Sequence, residues 1–408
     1  MKGVKQMLPL SGIKVLELTG YAAGPYAGMI LADLGADVIK VEPPEVGEPF
    51  RFFGGGFRAA YFVANNRNKR SIAINLKNKD GKDVFSKLLQ NSDVFLENQG
   101  PGAVDRLGFS YQVANQLNPK IIYCSIKGYG EGPYEKRPAF DPVIEAESGF
   151  MSVTGKPGDP PVRLGGPVID YLAGLFSVIA IMGAQLNKEK MGNGEKIEIN
   201  LFESAVSMLS QGLNEYALYK KLPELRGSGW GCYQAFKVKD GYAFVGVISD
   251  RHWQRFCDAF GVSEEVKSEF ATVKSRMGKE SEKKLEKIVS EIVSKMTVGE
   301  VAKKLIDNNI PGAPVNSMDK VLADPHLKIR KSIVPLIPDP EVTQTEDPRR
   351  TACPMLPIRA GFYNPDVTDK WFPAQKLGAQ TVEILRELGY SEAEIDDLRK
   401  SKVVWPYI

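Results

Sequence analysis

The sequence predicts an α/β protein, with a mostly parallel, doubly wound sheet in its first half and a smaller α+β domain after it. Three observations carry this. At 408 residues the chain exceeds what one core usually supports, so two domains are expected. Up to Gly194, short apolar runs alternate with segments of helical spacing, the pattern of parallel strands joined by crossover helices. Beyond Gly194 a hairpin signal followed by helices reads as α+β.

Ile13 to Leu18 is an apolar run that reads as a buried strand. Gly20 to Pro25 is a turn, with Pro25 suited to a first helical turn. Tyr26 to Leu34 is spaced as a helix, Gly35 stops it, and Val38 to Val41 is the next strand, completing a βαβ unit. Ser71 to Leu76, Val94 to Leu96 and Ile121 to Ile126 are further strands, with a helix over Lys79 to Leu89. After Gly194 come a strand, Lys196 to Leu201, and one long helix, Glu203 to Tyr219. A glycine-rich break, Gly227 to Gly231, precedes two strands, Tyr233 to Val238 and Tyr242 to Val247, around Lys239-Asp240-Gly241. Helices are expected over Arg251–Phe260, Ser281–Lys295, Val298–Asn308, Gly378–Leu388 and Glu392–Lys400, with a proline-rich extended stretch from Asp324 onward.

Hydrophobic content of 43%, charge of 25% and a net charge of +3 fit an ordinary globular protein. Basic residues are interleaved with acids, so a nucleic-acid surface is not expected. The four cysteines have no metal-ligand spacing and read as reduced thiols. The N-terminus lacks the apolar run of a signal peptide, and the most apolar segment, Tyr171 to Leu186, spans only about 24 Å as a helix against a bilayer core of roughly 30 Å. A cytoplasmic protein is expected.

Asp170 is the only charged residue between Arg163 and Lys188. It follows Gly165-Gly166-Pro167 and opens a long uncharged segment. A carboxylate there is costly to bury unless it is hydrogen-bonded or used. Two readings stand: a helix N-cap, and a catalytic carboxylate held at a helix start.

Other chemistry is constrained. Gly20 to Gly24 follows a strand and opens a helix, but its spacing is G-x-x-x-G with Ala22 where a dinucleotide fingerprint has glycine. The two histidines, His252 and His326, lie far along the chain and read as structural, and no G-x-S-x-G elbow is present. Glu97 to Arg106 reads as a ligand-closing loop after a parallel strand, with Gly100 and Gly102 for backbone freedom and Arg106 for a phosphate.

The ordered set Leu10 to Leu18 with Ala23-Gly24-Pro25, Leu34 to Pro43, Asn68 to Ile72, Glu97-Asn98 with Gly100-Pro101-Gly102, Asp105 to Gly108, Gly128-Tyr129-Gly130, Gly165 to Asp170, Pro311 to Val315, Asp324-Pro325-His326 and Leu377-Gly378 resembles the family III CoA-transferases nearly end to end. The resemblance implies a Rossmann-like large CoA-binding domain over 1–200, a linker helix over 201–226, a small α+β domain over 227–323 and a C-terminal segment, 324–408, returning to the large domain. It also implies an interlocked homodimer. It implies an acyl-CoA:carboxylate CoA-transferase in which Asp170 attacks the thioester, forming a mixed anhydride and then an enzyme-bound CoA thioester. Acyl-CoA and a carboxylic acid are the substrates, with no tightly bound cofactor or metal. Tyr21, Ala22, Ala23, Lys77, Asn98, Gln99 and Arg106 match positions that line the CoA site, and Gly227 to Gly231 matches a lid loop. Arg163, Arg226, Lys136 and Arg137 are candidates to meet the acid. The alternative is an acyl-CoA racemase of the same superfamily. Those enzymes carry a histidine where this chain has Phe140, in Ala139-Phe140-Asp141, and a phenyl ring exchanges no proton. Asp141 is expected in a supporting part.

Overall fold

The structure is a computed structural model and describes residues 7–52, 56–155, 158–223, 231–343 and 351–408. The chain forms two compact units, one of residues 1–150, 163–210 and 325–408, the other of 151–162 and 211–324. The stretch expected as one linker helix is divided. Two helices stand there, Leu201–Met208 and Ser210–Tyr219, and the unit boundary falls at Ser210.

The first unit is built on six parallel strands: β1 (Lys14–Leu18), β2 (Asp37–Glu42), β3 (Lys69–Ile74), β4 (Val94–Glu97), β5 (Ile122–Lys127) and β6 (Lys196–Asn200). They lie in the order β3-β2-β1-β4-β5-β6, and a short strand, Val404–Trp405, pairs antiparallel with β3 at the edge. Strand order therefore reverses between β1 and β4. In doubly wound sheets that reversal opens a crevice at the carboxyl ends of the two strands, where ligands bind.

Alternate residues of each strand feed two cores, one on each face of the sheet. In β1, Val15 joins Ile30, Leu31, Val38, Leu96 and Ile126 on one face. Leu16 joins Ile39, Ile72, Val84, Phe85 and Phe95 on the other. Burying each large apolar side chain stabilises by about 1.5–3 kcal/mol.

Five helices matter to the site. They are α1 (Ala23–Asp33), α2 (Lys79–Gln90), α3 (Asp141–Ser148), α4 (Val168–Met191) and α5 (Leu201–Met208). In α2, Asn78 caps the start and Val84, Phe85, Leu88 and Leu89 form the buried stripe of a βαβ crossover. α4 packs against α1, β5, β6 and α5. Its 24 residues span about 36 Å, so it runs past Tyr171 to Leu186, the apolar segment measured as a helix of about 24 Å. By length and composition it could cross a membrane. Lys188 and Lys190 occupy its last turn, where cations complement the helix dipole, so charge there continues the helix. The α1–α4 crossing is close: a Cβ on Gly174 would sit 2.8 Å from the Ala23 carbonyl oxygen, so only glycine lets the helices meet there.

In the second unit, β7 (Tyr233–Val238) and β8 (Gly241–Gly246) form the expected hairpin, and a short strand, β9 (Gly312–Pro314), adds to β8. Helices over Asp250–Phe260, Lys279–Val293 and Val298–Asp307 enclose a core with Trp253, Phe256, Val289 and Leu305.

Candidate active site

A cavity of about 380 Å³ lies at the strand-order reversal. The turn after β1 supplies Tyr21, Ala22 and Ala23; the loop after β4 supplies Asn98 to Pro101; the end of β5 supplies Ile126 and Lys127. Residues 135–140, Asp170 at the start of α4 and Leu201 at the start of α5 complete the wall.

The two central turns are joined by one side chain. Asn98 accepts from Gly20 N (2.9 Å) through Oδ1 and donates to Gly20 O (2.8 Å) through Nδ2. Gln99 donates to Leu18 O (3.0 Å). Both side chains thus brace the cavity lip. Lys127 is also held: its ammonium donates to both Glu97 oxygens (2.8 and 2.9 Å) and to Gln99 O (2.7 Å). Tyr21 takes a left-handed backbone, φ +62°, an uncommon conformation for a residue with a bulky side chain. Glu48 anchors it by accepting from the Tyr21 amide (2.9 Å), and its ring meets Phe50 and Phe140 edge-on.

Beneath the turn lies a buried ionic cluster. Lys40 donates to Glu17 (3.0 Å) and Thr19 O (3.0 Å). Lys69 pairs with Glu17 (2.8 Å) and donates to Pro25 O (2.7 Å). Thus both ends of the segment 19–25 hang on one charged core. Burial pulls Lys69 down to about 8, against the pull of the adjacent Glu17 carboxylate.

Asp170 settles one expectation differently. It does not cap its helix. α4 begins two residues earlier, with Pro167 at the N-cap position and no side-chain cap of its own. The cap comes from another helix: Asp141 Oδ2 accepts from the amides of Ile169 (2.8 Å) and Asp170 (3.1 Å). A helix that opens on proline needs such an outside acceptor for its first amides. With that task done by Asp141, the Asp170 carboxylate faces the cavity. Among the described residues it accepts no hydrogen bond. Burial, and then the charge of Asp141, push it up to about 7 from an ordinary 3.8. Perturbed carboxyls of this kind concentrate at functional sites.

Six of the sequence-derived positions therefore meet in one cavity: Tyr21, Ala22, Ala23, Asn98, Gln99 and Asp170. Two do not line it. Lys77 is exposed beyond β3, and Arg106 is exposed on a short helix after β4, donating to Pro101 O (3.3 Å) at the cavity rim. Of the acid candidates, Lys136 and Arg137 line the cavity, with Arg137 also paired to Glu147 (2.8 Å); Arg163 is exposed and does not line it. Arg226 and residues 227–230 of the lid candidate lie outside the described residues. His252 and His326 do not line the cavity. The sequence reading passed over Glu48, Glu17, Lys40 and Lys69. For Glu17 and Lys40 the signal was a charge inside an apolar strand, Leu16-Glu17-Leu18 and Ile39-Lys40-Val41; Glu48, in a loop, and Lys69, between Asn68 and Arg70, carried none.

A cleft at a strand-order reversal, holding a carboxyl that is half-buried, unbonded among the described residues and shifted toward neutrality, is equipped for nucleophilic chemistry. The chain belongs to CoA-transferase family III, whose profile matches residues 10–361. It is similar to succinyl-CoA:glutarate CoA-transferase of Homo sapiens, 35% identical over 97% of this chain and 90% of the relative. It is similar also to formyl-CoA:oxalate CoA-transferase of Shigella sonnei, 31% identical over 97% of this chain and 99% of the relative. Among solved structures it resembles a CAIB/BAIF family protein from Brucella suis, with a TM-score of 0.82 and 31% identity, covering 94% of this chain and 100% of that one. It is accordingly an enzyme of CoA transfer between carboxylic acids, and the expectations of family and activity drawn from its motifs stand.

Proposed function

We propose that this enzyme carries CoA on Asp170 between an acyl-CoA donor and a free dicarboxylic acid. The Asp170 carboxylate adds to the thioester carbonyl and expels CoA thiolate, giving a mixed anhydride. The thiolate then attacks the aspartyl carbonyl of that anhydride. The donor acid leaves as its carboxylate, and Asp170 holds CoA as a thioester. The acceptor carboxylate attacks this thioester to form a second anhydride, and the thiolate returns to the acceptor's acyl carbon. New acyl-CoA leaves and the Asp170 carboxylate is regenerated.

The observation that carries this reading is the Asp170 carboxyl itself, in the cavity, without a hydrogen-bond donor among the described residues, and raised to about 7. Its basicity favours attack at neutral pH. The first turn of α1, at Ala23 and Gly24, leaves amides without intrahelical partners beside the cavity, suited to the oxyanion that forms at the thioester carbon. Phe140 in the cavity wall offers no second base, which favours transfer over racemisation. Tyr21, Ala22, Ala23, Asn98 and Gln99 would hold the thiol end of CoA. Lys77, on the loop after β3, and Arg106, on the short helix after β4, would meet its phosphates. The two similar enzymes are named for glutarate and oxalate, which supports a dicarboxylate acceptor; Lys136 and Arg137 are the cations placed to meet its second charge.

A second copy of the chain is part of the reading. α4 leaves Leu175, Ile179, Met182 and Leu186 exposed at helical spacing, a stripe suited to a homodimer contact. Light scattering on the purified protein should give twice the chain mass of 45.0 kDa. For the chemistry, the enzyme is incubated with succinyl-CoA and glutarate, quenched, and digested. CoA mass on the Asp170 peptide, lost in Asp170→Ala together with turnover, is expected. Full transferase activity in Asp170→Ala overturns the proposal.

A further inference from the structure

Asp141 and Glu145 stand one turn apart on α3, both buried. Each uses one oxygen on a backbone amide. Asp141 Oδ2 holds Ile169 and Asp170, as above, and Glu145 Oε2 accepts from Leu164 N (2.7 Å). The remaining oxygens, Asp141 Oδ1 and Glu145 Oε1, are buried and have no donor while both groups are ionised. No cation among the described residues pairs with either. The other ionisable groups on α3 and the helices packed against it do not supply one. Glu147 is taken by Arg137 and Tyr129, and Glu203 on α5 is exposed and acidic. Asp170 is itself an acid, and Lys188, Glu189 and Lys190 lie at the far end of α4.

Two buried carboxylates side by side with an unmet oxygen each are costly. One proton resolves both oxygens, because a protonated carboxyl donates to its neighbour. We propose that Asp141 and Glu145 share a single proton, and that the resulting carboxyl–carboxylate bond closes a brace from Leu164, across Gly165-Gly166-Pro167, to the amide of Asp170. Burial first, and then the hydrogen bond to Glu145, raise Asp141, in keeping with a held proton. Glu145 is thereby a positioning residue. It fixes the start of α4 through Asp141 and limits the charge beside Asp170 to one unit. The functional part rests on the reading of Asp170 as the CoA carrier; the shared proton does not.

The test separates the two. Infrared difference spectra at pH 6 are taken on Asp170→Asn, which removes the Asp170 carboxyl from the signal. A protonated-carboxyl carbonyl band is expected, and it should be lost on adding Glu145→Gln. That amide mimics the protonated acid: it donates to Asp141 Oδ1 and accepts from Leu164 N. Should that variant not fold, adding Asp141→Asn instead must abolish the same band. A spectrum unchanged by the added substitution, or lacking the band in Asp170→Asn, overturns the shared proton. In the otherwise unmodified enzyme, Glu145→Ala is expected to lower kcat by about tenfold or more with KM little changed, because the nucleophile drifts. Glu145→Gln should restore most of the loss. Equal kcat in Glu145→Ala and Glu145→Gln overturns the positioning role. A titrating band in a protein that forms no CoA adduct would leave the shared proton standing and remove the proposed function.

Discussion

Replacing Asp170 by asparagine should stabilise this enzyme, and only above the acid range. The carboxyl is raised from 3.8 to about 7 in the folded chain, so the fold disfavours its ionised form. Below pH 3.8 folded and unfolded chains are both protonated at this group, and it has no effect on stability. Between pH 3.8 and 7 only the unfolded chain ionises. The folded chain then binds more protons, and stability falls as pH rises. Above 7 the full cost is present. A shift of about three units at 1.36 kcal/mol each is ~4 kcal/mol. A first-turn carboxylate regains ~0.5 kcal/mol from the helix dipole, which leaves about 3–4 kcal/mol. Asparagine keeps the shape and removes the charge. At ~2.1 cal/mol/K per residue over the roughly 280 residues of the first unit, the gain corresponds to about 5–7 °C in Tm. The assay is a series of thermal unfolding scans of the two proteins from pH 4 to pH 8.5. The Tm difference should be near zero at pH 4, open between pH 5 and 7, and level off above. A difference that is constant with pH, or that favours the aspartate at pH 8, refutes the claim that Asp170 is desolvated beside a like charge.

Three further outcomes follow from the same geometry. On the proposed mechanism CoA transfer requires ionised Asp170, so kcat/KM should rise with pH through about 7 and then level. Asp141→Asn, which keeps an acceptor for the α4 amides but moves the like charge away to Glu145, should shift that midpoint to lower pH in the pH–rate profile. Gly174→Ala places a Cβ 2.8 Å from the Ala23 carbonyl oxygen and should cost about 1–3 kcal/mol while lowering kcat, measured by denaturant unfolding and steady-state kinetics. Arg51→Met leaves the buried Glu42 without its guanidinium (2.6 Å) and should cost about 3–5 kcal/mol at neutral pH. Burial raises Glu42, but Arg51 overrides it and holds the carboxyl at about 2. The wild-type stability from this pair is therefore present above pH 4.5 and lost as pH falls toward 2, and the gap between the two proteins should narrow over that window.

The strands were legible because parallel strands buried on both faces are written as short, nearly continuous apolar runs, as in Val38 to Val41. Asp170 was legible for the opposite reason, as the one charge in an apolar stretch. Its partner was named only through the resemblance, in a supporting part. Asp141 reaches the α4 amides from 28 residues upstream, and nothing local marks Asp141 as a cap for another helix. Glu145 was not singled out, since its burial is created by α3 packing against α4 and α5. The break at Leu209 was not foreseen because no proline interrupts Glu203 to Tyr219. β9 escaped because Gly312-Ala313-Pro314 has no strand propensity and is recruited by β8. Lys77 was placed by motif position alone, and Arg106 by motif and loop composition, neither of which carries information on reach.

The reciprocal bonds between Asn98 and Gly20 tie two loops that strand topology would otherwise leave independent. Neither loop can be reshaped without disturbing the other, and both rest on the charged core under β1. The remaining wall, residues 135–140, is largely exposed and carries no strand register, so substitutions there leave the joined loops undisturbed.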